Sequence, residues 1–503
     1  MSADVGDTRS DPAAAVPRMH QHVSEGRGRR AVLGVGWSAL NTGSAMLIAM
    51  IVFVITSRLL GPDEFGIVAF ALSIIAIVGC ATPGGFGEAI IQRTEIADDH
   101  LDTVFWLCII SGLVMFVLIL LLAGTVAEIS GEPVMALLLP FFGVKLVLDL
   151  AAVVPQALVI RAMRFKHVAA RTAIGNSVGG VICVAMALNG YGLWALAMAP
   201  MVTSVVSLII LAWAARWWPG FGLRISALRD LLRFGLFASG NNALYFLNLD
   251  RLLLGFLAGP AVLGLYFLGR RLFDLLSGVT AGAILPVTNV FFASIQNEPG
   301  KQIGAYSNAI RATTLAVFPL FGGLYALADS AVPMIFGSHW DPAMPAVKAF
   351  AIIGLMGGLF VPSSSLAIGL GRADMWFVVD LLRQILVVSA ILLFVSSGLE
   401  AVMTSLVVVN AAMLPACFLI ARRLIQMPLR QYLEALMLPL LATGVMCGAI
   451  VALPWLLPAL RPTVVLATQM VVGASVYLGI VLSMSRQQIA ELRQAFSRGA
   501  AGD

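Results

Sequence analysis

The sequence predicts an all-α polytopic membrane protein, with about fourteen transmembrane helices in two pseudo-symmetric six-helix lobes and two additional C-terminal helices. Composition, the spacing of long apolar runs and an internal repeat support this prediction. Of the 503 residues, 60% are hydrophobic and 11% are charged, and the mean hydropathy is +0.96. A soluble protein of this length could not cover its surface with so few charges, so we expect the chain to lie in a bilayer.

The individual spans follow from the length of apolar helix needed to cross a bilayer, which is about 20 residues. Charged or Gly/Pro-rich breaks divide the chain into segments of that length. The predicted spans are 36–57, 65–91, 103–126, 133–157, 168–188, 191–214, 234–257, 261–289, 309–329, 343–368, 375–396, 400–421, 434–457 and 463–484. Residues 1–30 are polar and Arg-rich. We therefore expect them to form a disordered basic tail and not a signal peptide.

The distribution of Arg and Lys predicts that both termini are cytoplasmic, because cytoplasmic loops retain positive charge. Basic residues cluster in every second loop and in both tails, 1–30 and 486–503. The opposite loops, such as 128–132, 189–192 and 396–400, carry almost none; Arg58 and Arg461 are the exceptions. We interpret the basic loops as determinants of topology that meet anionic lipid headgroups, and not as a nucleic-acid-binding surface.

Several common chemical sites are absent from the sequence. The five cysteines lie inside apolar runs without CxxC spacing, so we interpret them as small core residues. The chain contains no GxxxxGK(S/T) loop, no HExxH motif and no spaced Cys/His cluster. The sequence therefore predicts a protein that is not an enzyme and needs no metal or cofactor.

An internal repeat divides the chain into two similar halves. The stretch "GPDEFG" begins at Gly61, and "GPAVLG" begins at Gly259. A weaker echo pairs "EPVM" at Glu132 with "DPAM" at Asp341, at the starts of the fourth and tenth predicted spans. The halves are 31–220 and 225–425, followed by an additional helix pair at 430–485. Six spans per half give both copies the same orientation, an arrangement that commonly places a substrate path between the halves.

A series of short stretches carries a family resemblance over residues 31–425. The stretches are "SRLLGPDEFGIVAFALSII", "GGFGEAIIQR", "HLDTVFWL", "VPQALVIRAMRFK", "NGYGLWAL", "LDRLLLGFLAGPAVLGLYFLGRR" and "FGSHWDPA". Together they resemble the Wzx-type polysaccharide flippases of the MATE-like multidrug/oligosaccharidyl-lipid/polysaccharide (MOP) exporter superfamily. The resemblance implies transport of undecaprenyl-pyrophosphate-linked oligosaccharide across the bacterial inner membrane for lipopolysaccharide, exopolysaccharide or teichuronic acid synthesis. It further implies membrane lipids and a polysaccharide polymerase or export machinery as partners.

Ionisable residues inside the predicted spans are the candidate functional residues, because a charge in the bilayer is costly and usually faces a cavity. A pyrophosphate-bearing substrate would need cations, and Arg can bond phosphate in a bidentate manner. The candidate substrate-binding cations are Arg270, Arg271, Arg251 and Lys145. The candidates for charge balance or ion coupling are Asp250, Asp274 and Asp149. The candidates at the cavity mouth are Lys348 and Arg58.

A structural interpretation of these charges stays open beside the functional one. Three pairs have the i,i+3 or i,i+4 spacing at which opposite charges meet on a helix. These pairs are Lys145–Asp149, Arg270–Asp274 and Asp380–Arg383. The sequence also does not decide which of the adjacent Arg270 and Arg271 faces the cavity.

Three other functions are considered beside a polysaccharide flippase. A lipid II flippase shares the predicted fourteen-helix layout, and a MATE-like exporter of small amphipathic molecules shares the repeat. A membrane glycosyltransferase or polymerase is disfavoured because the loops are short. The coupling ion, the sugar repeat unit and the oligomeric state are left open.

Overall fold

The computed structural model describes residues 46–93, 96–222 and 248–456, residues 461–484, and scattered positions between 224 and 239. For 279–287 and 289–290 it describes the backbone alone. The predicted tails, the start of the first predicted span and most of the seventh lie outside the described residues.

The described residues are almost entirely α-helical. In chain order the helices are α1 (Met46–Leu59), α2 (Pro62–Cys80), α3 (Phe86–Gln92), α4 (Asp98–Ser130), α5 (Met135–Ala151), α6 (Val153–Arg161), α7 (Phe165–Leu188), α8 (Leu193–Ala215), α9 (Leu249–Leu257), α10 (Gly259–Ser294), α11 (Pro299–Phe336), α12 (Met344–Gly369), α13 (Ala373–Phe394), α14 (Leu399–Ile425), α15 (Leu429–Leu456) and α16 (Pro462–Met484). A short 3₁₀ helix, Ser338–Ala343, precedes α12. The predicted all-α class is confirmed.

Eleven helical segments of the described residues are long and apolar enough to cross a membrane. They match eleven of the predicted spans, so the chain is a multi-pass membrane protein. Helix α10 has 36 residues, but its apolar sequence is interrupted by the charged residues at 270, 271 and 274. The count of about fourteen spans and the two-lobe arrangement stay predictions.

The helix boundaries differ from the prediction where polar residues continue a helix beyond its apolar part. Helix α11 covers 38 residues, whereas the predicted span was 309–329. Helix α4 begins at Asp98, with Asp98 and Asp99 in its first turn, where carboxylates interact favourably with the helix dipole. The predicted span 65–91 is broken at 81–85, between α2 and α3. The sequence there, "ATPGG", contains a proline and two glycines that disfavour continuous helix.

The two copies of the repeated Gly-Pro turn pack against each other. A Cβ atom at Gly66 of α2 would lie 1.8 Å from the carbonyl oxygen of Pro260. Reciprocally, a Cβ at Gly264 of α10 would lie 1.8 Å from the carbonyl oxygen of Pro62. The backbones of α2 and α10 therefore approach so closely that only glycine fits at both positions. Gly66 and Gly264 hold equivalent positions in the two copies of the repeat, as do Pro62 and Pro260, so the contact is symmetric.

The remaining helices pack through small residues and apolar side chains. In α7, Gly179 lies against α8, where an added Cβ would be 2.7 Å from the Ala199 carbonyl oxygen. Helix α15 packs between α11 and α16, with Gly322 of α11 facing the Thr443 methyl group. All five cysteines are free, and three of them are buried. Their predicted role as small core residues agrees with this placement.

Candidate functional site

The candidate site lies where α9 turns into α10. Gly259 adopts φ +84° at this turn, a conformation that glycine reaches without steric cost. The turn reverses the chain, so that the start of α9 comes to lie beside the middle of α10. Asp250 and Arg251 of α9 thereby meet charged residues that follow them by 20 and 23 residues along the sequence.

Two aspartates and two arginines form a continuous ion-pair network across this turn. Arg270 Nε lies 3.0 Å from Asp274 Oδ1, and Arg270 Nη1 lies 3.3 Å from Asp250 Oδ2. Arg251 Nη2 lies 3.1 Å from Asp274 Oδ2. The Arg270–Asp274 pair predicted from i,i+4 spacing is present. Its extension to α9 follows only from the fold.

Arg270 is held on several sides. Besides its two carboxylate partners, its guanidinium lies 5.7 Å from the ring centre of Phe273 and 5.9 Å from that of Phe350. These distances are within the range of cation–π attraction. Arg270 therefore has a structural role in joining α9, α10 and α12.

Tyr266 belongs to the network, although the sequence analysis did not single it out. Its hydroxyl donates a hydrogen bond to Asp250, and its ring packs on Phe350 with centroids 5.1 Å apart. Tyr266 is 1% exposed. The feature of the sequence that could have indicated this role is its position four residues before Arg270, which places both side chains on one face of α10.

Arg271 differs from its neighbour. Within the part of the chain that the structure describes, no ion pair or hydrogen bond holds its side chain, and it is half-buried. The network around it contains two arginines and two aspartates, so their formal charges cancel. Arg271 therefore supplies the surplus positive charge of this cluster. The structure distinguishes the two adjacent arginines, a distinction the sequence left open.

The predicted candidates of the first half form a separate pair. Lys145 Nζ lies 2.6 Å from Asp149 Oδ2 within α5. Ser204 of α8 donates a hydrogen bond of 2.6 Å to Asp149 Oδ1. The positive charge of Lys145 is thus matched by an adjacent carboxylate.

The two candidates assigned to the cavity mouth, Arg58 and Lys348, both contact α11. Arg58 donates hydrogen bonds to the carbonyl oxygens of Met334 and Ile335. Lys348 lies 2.7 Å from Asp329 Oδ1. In α13, the Asp380–Arg383 pair forms at 2.7 Å.

Comparison with known proteins identifies the family. Residues 55–345 match the protein family described as "Polysaccharide biosynthesis protein", which covers more than half of the chain. The chain belongs to this family. It is 27% identical over 388 residues to the succinoglycan biosynthesis transport protein ExoT of Rhizobium meliloti (strain 1021), covering 76% of this chain and 78% of ExoT.

Two further relatives resemble the chain over most of their length. The lipopolysaccharide biosynthesis protein WzxC of Escherichia coli (strain K12) is 24% identical, covering 82% of this chain and 85% of WzxC. The teichuronic acid biosynthesis protein TuaB of Bacillus subtilis (strain 168) is 24% identical, covering 82% of this chain and 86% of TuaB. The predicted resemblance to polysaccharide transport proteins is confirmed.

Solved structures establish the fold independently. The lipid II flippase MurJ in an inward closed conformation superposes with a TM-score of 0.73 at 11% identity, over 91% of this chain and all of MurJ. A MATE family multidrug resistance transporter in an inward-facing conformation gives 0.56 at 18% identity, over 76% of this chain and 94% of that one. This chain therefore has the helical fold of these two transporters.

Proposed function

We propose that this chain is a flippase that moves undecaprenyl-pyrophosphate-linked oligosaccharide repeat units across a bacterial inner membrane, for synthesis of a surface polysaccharide. Its membership of the polysaccharide biosynthesis family supports this proposal. The relatives are named for succinoglycan, lipopolysaccharide and teichuronic acid biosynthesis, which are three different polymers. The shared feature of the substrate would then be its lipid pyrophosphate and not its sugar.

The observation that carries the proposal is the surplus positive charge at Arg271. A charge inside a spanning helix costs about 2.5–3.5 kcal/mol on insertion scales, and such residues usually face a cavity. An arginine already paired with aspartate is neutralised, whereas Arg271 has no carboxylate partner among the residues that the structure describes. A planar guanidinium matches two phosphate oxygens in a bidentate geometry. We therefore place the pyrophosphate at Arg271, with Arg251 beside it and Lys145 in the opposite half.

The paired aspartates offer a route to ion coupling. Both Arg251 and Arg270 bond Asp274, and a pyrophosphate carries more negative charge than a carboxylate. An arriving substrate would compete for these arginines and release Asp274, which could then take a proton or a sodium ion. Asp250 and Asp149 would balance the remaining cations.

Transport would proceed by alternating access between the halves 31–220 and 225–425, with both termini in the cytoplasm. The headgroup would enter between the halves while the prenyl tail stays in lipid. A polymerase or export complex would receive the product on the outer side.

The surplus cation also separates this proposal from the export of small amphipathic cations. An exporter of small amphipathic cations would need an excess of carboxylates at its site, and the α9–α10 cluster has the opposite balance. A lipid II flippase would also bind a pyrophosphate, so that alternative differs only in the sugar and peptide it accepts. A lipid II depletion phenotype in a strain lacking the gene would favour it.

The test is complementation of a strain that lacks the gene. Lipid-linked oligosaccharides are extracted and assigned to a leaflet by their reaction with a membrane-impermeant sugar oxidant in spheroplasts. We expect them to accumulate on the cytoplasmic leaflet in the deletion strain. Wild-type protein should restore flipping, whereas Arg271→Gln should lower its rate about tenfold or more, because a hydrogen bond to a charged group contributes about 1.5–3 kcal/mol.

The matched control neutralises another intramembrane pair, with Asp380→Asn and Arg383→Gln combined so that no charge is left alone. This control should flip at the wild-type rate. Normal surface polymer and normal glycolipids in the deletion strain, in a host without a second flippase, would contradict the proposed function. Normal flipping by Arg271→Gln at equal protein level would contradict the assigned site.

A further inference from the structure

The repeated Gly-Pro turns lie at the outer end of the predicted substrate path, where the two halves of the chain meet. The reciprocal contact joins Gly66 to Pro260 and Gly264 to Pro62. In each case a backbone carbonyl occupies the space that a side chain would need. The two halves could not approach further at this end, and little space remains between α2 and α10.

Aromatic side chains from both halves fill the region next to this contact. The rings of Phe53 and Phe336 are 5.6 Å apart, and those of Phe65 and Phe267 are 6.0 Å apart. The indole of Trp340 lies 5.5 Å from the Phe65 ring and is fully buried. Such a cluster excludes water and charged headgroups from the outer side.

Hydrogen bonds fix the end of α1 to the end of α11. Arg58 donates to two terminal carbonyls of α11, which lack partners within their own helix. In return, the Ser57 carbonyl oxygen accepts a hydrogen bond of 2.8 Å from Trp340 Nε1. His339 Nε2 lies 2.9 Å from the same oxygen. Each half therefore caps the C-terminal end of a helix of the other half.

We infer that the paired Gly-Pro turns form the outer closure of the substrate path, and that Arg58 and Trp340 latch it. The inference rests on the proposed alternating access and assigns it a specific contact that must break. Opening to the outside requires α2 to separate from α10 and Arg58 to leave the end of α11. Only glycine permits the closed contact, and each half supplies one of the two faces of this closure.

The first test measures opening without any substrate. In a variant whose five native cysteines are replaced, Ser57→Cys is a reporter within the closure. Its labelling by a membrane-impermeant maleimide, added to the outside of spheroplasts, should be slow. Adding Gly66→Ala or Gly264→Ala should raise the labelling rate several-fold. Gly124→Ala is the matched control, because a Cβ at Gly124 of α4 would meet nothing within 4 Å.

A second variant covers the case in which the glycine substitutions prevent folding. Arg58→Gln removes the latch without adding volume to the helix contact, and should also raise labelling from outside. Unchanged labelling in all three variants at wild-type protein levels would overturn the inference. Labelling that rises only from the cytoplasmic side would overturn it as well.

Crosslinking links the closure to transport. Phe53→Cys with Phe336→Cys, bridged by a short bis-thiosulfonate, should stop flipping, and a reducing agent should restore it. The matched control is Phe141→Cys with Trp194→Cys, whose rings are also 5.6 Å apart but lie within the first half. Normal flipping by the crosslinked Phe53/Phe336 variant would overturn the closure and leave the proposed function standing. Increased labelling in a protein that flips nothing would support the closure and contradict the proposed function.

Discussion

At the residue scale, two adjacent arginines of one helix have different environments. Arg270 contacts two aspartates and two aromatic rings. Arg271 is half-buried and makes no ion pair or hydrogen bond with the residues that the structure describes, since consecutive residues on a helix are separated by about 100° of rotation and have different neighbours. The pairing of Arg270 therefore does not weaken the case for a binding role of Arg271. Arg270 joins α9 to α10, whereas Arg271 keeps the ligand-binding role that we propose for it.

The hydroxyl of Tyr266 provides a separate test of the structural network. Tyr266→Phe removes one hydrogen bond to Asp250 and preserves the ring packing on Phe350. We expect the free energy of unfolding to fall by about 1.5–3 kcal/mol, because the lost bond involves a charged acceptor. Thermal unfolding of the purified protein in detergent measures this as a lower Tm, and flipping should stay within about twofold of wild type.

The control for this prediction is Tyr325→Phe, since the Tyr325 side chain of α11 is 42% exposed. It should leave the Tm unchanged. Equal Tm values for the two variants would show that the Tyr266 hydroxyl does not support the network.

At the element scale, the segment that connects the two halves is fixed to the start of α4. Asp102 accepts a hydrogen bond of 2.9 Å from the Gly220 N–H, and Trp106 donates one of 2.8 Å to the Gly220 carbonyl. Arg224 pairs with Asp99 at 2.6 Å. The first part of the connection therefore moves with the first half. Any relative motion of the halves must be absorbed after Arg224.

Asp102→Ala should free this connection. The Gly220 N–H loses its charged acceptor, so the segment should open more often and present Arg216 and Arg224 to trypsin. We expect cleavage after these residues to be several-fold faster, measured by mass spectrometry of limited digests. Glu298→Ala alters a different loop that is also predicted to be cytoplasmic, and should leave this cleavage rate unchanged. A rate equal to wild type in Asp102→Ala would contradict the role of Asp102.

At the scale of the whole molecule, the charge distribution places both copies of the repeated turn on the same predicted side of the membrane. Basic loops alternate with loops almost free of Arg and Lys, and the Gly-Pro turns fall on the weakly basic side. The proposed closure is therefore an outer one only if this orientation is correct. A measurement of the topology therefore also tests whether the proposed closure lies on the outer side.

The orientation can be measured with two single cysteines in the variant that lacks native ones. Ser397→Cys lies in an exposed loop predicted to be outside, and Gln296→Cys in an exposed loop predicted to be inside. An impermeant maleimide should label the first in intact spheroplasts and the second only after permeabilisation, because short cytoplasmic loops retain positive charge. The reverse pattern would invert the topology and move the proposed closure to the cytoplasmic side.

The sequence alone predicted the properties that depend on local composition. Apolar length predicted the spans from α4 to α8 and from α12 to α16 to within a few residues at most ends, because bilayer thickness sets the minimum length of each helix. The repeated "GP" stretches and the family resemblance can also be identified from the sequence alone. The candidate charges were also found, because ionisable residues are rare in apolar sequence.

Only the tertiary structure decided which of these groups meet. The i,i+4 rule predicted Arg270–Asp274, but the bonds of Arg270 to Asp250 and of Arg251 to Asp274 depend on the turn at Gly259. The approach of Gly66 to Pro260 depends on how α2 and α10 cross. Periodicity specifies which face of a helix a residue occupies, but not the neighbour that face will contact. That choice is made when the helices pack, since close-packed interiors admit few rotations and crossing angles.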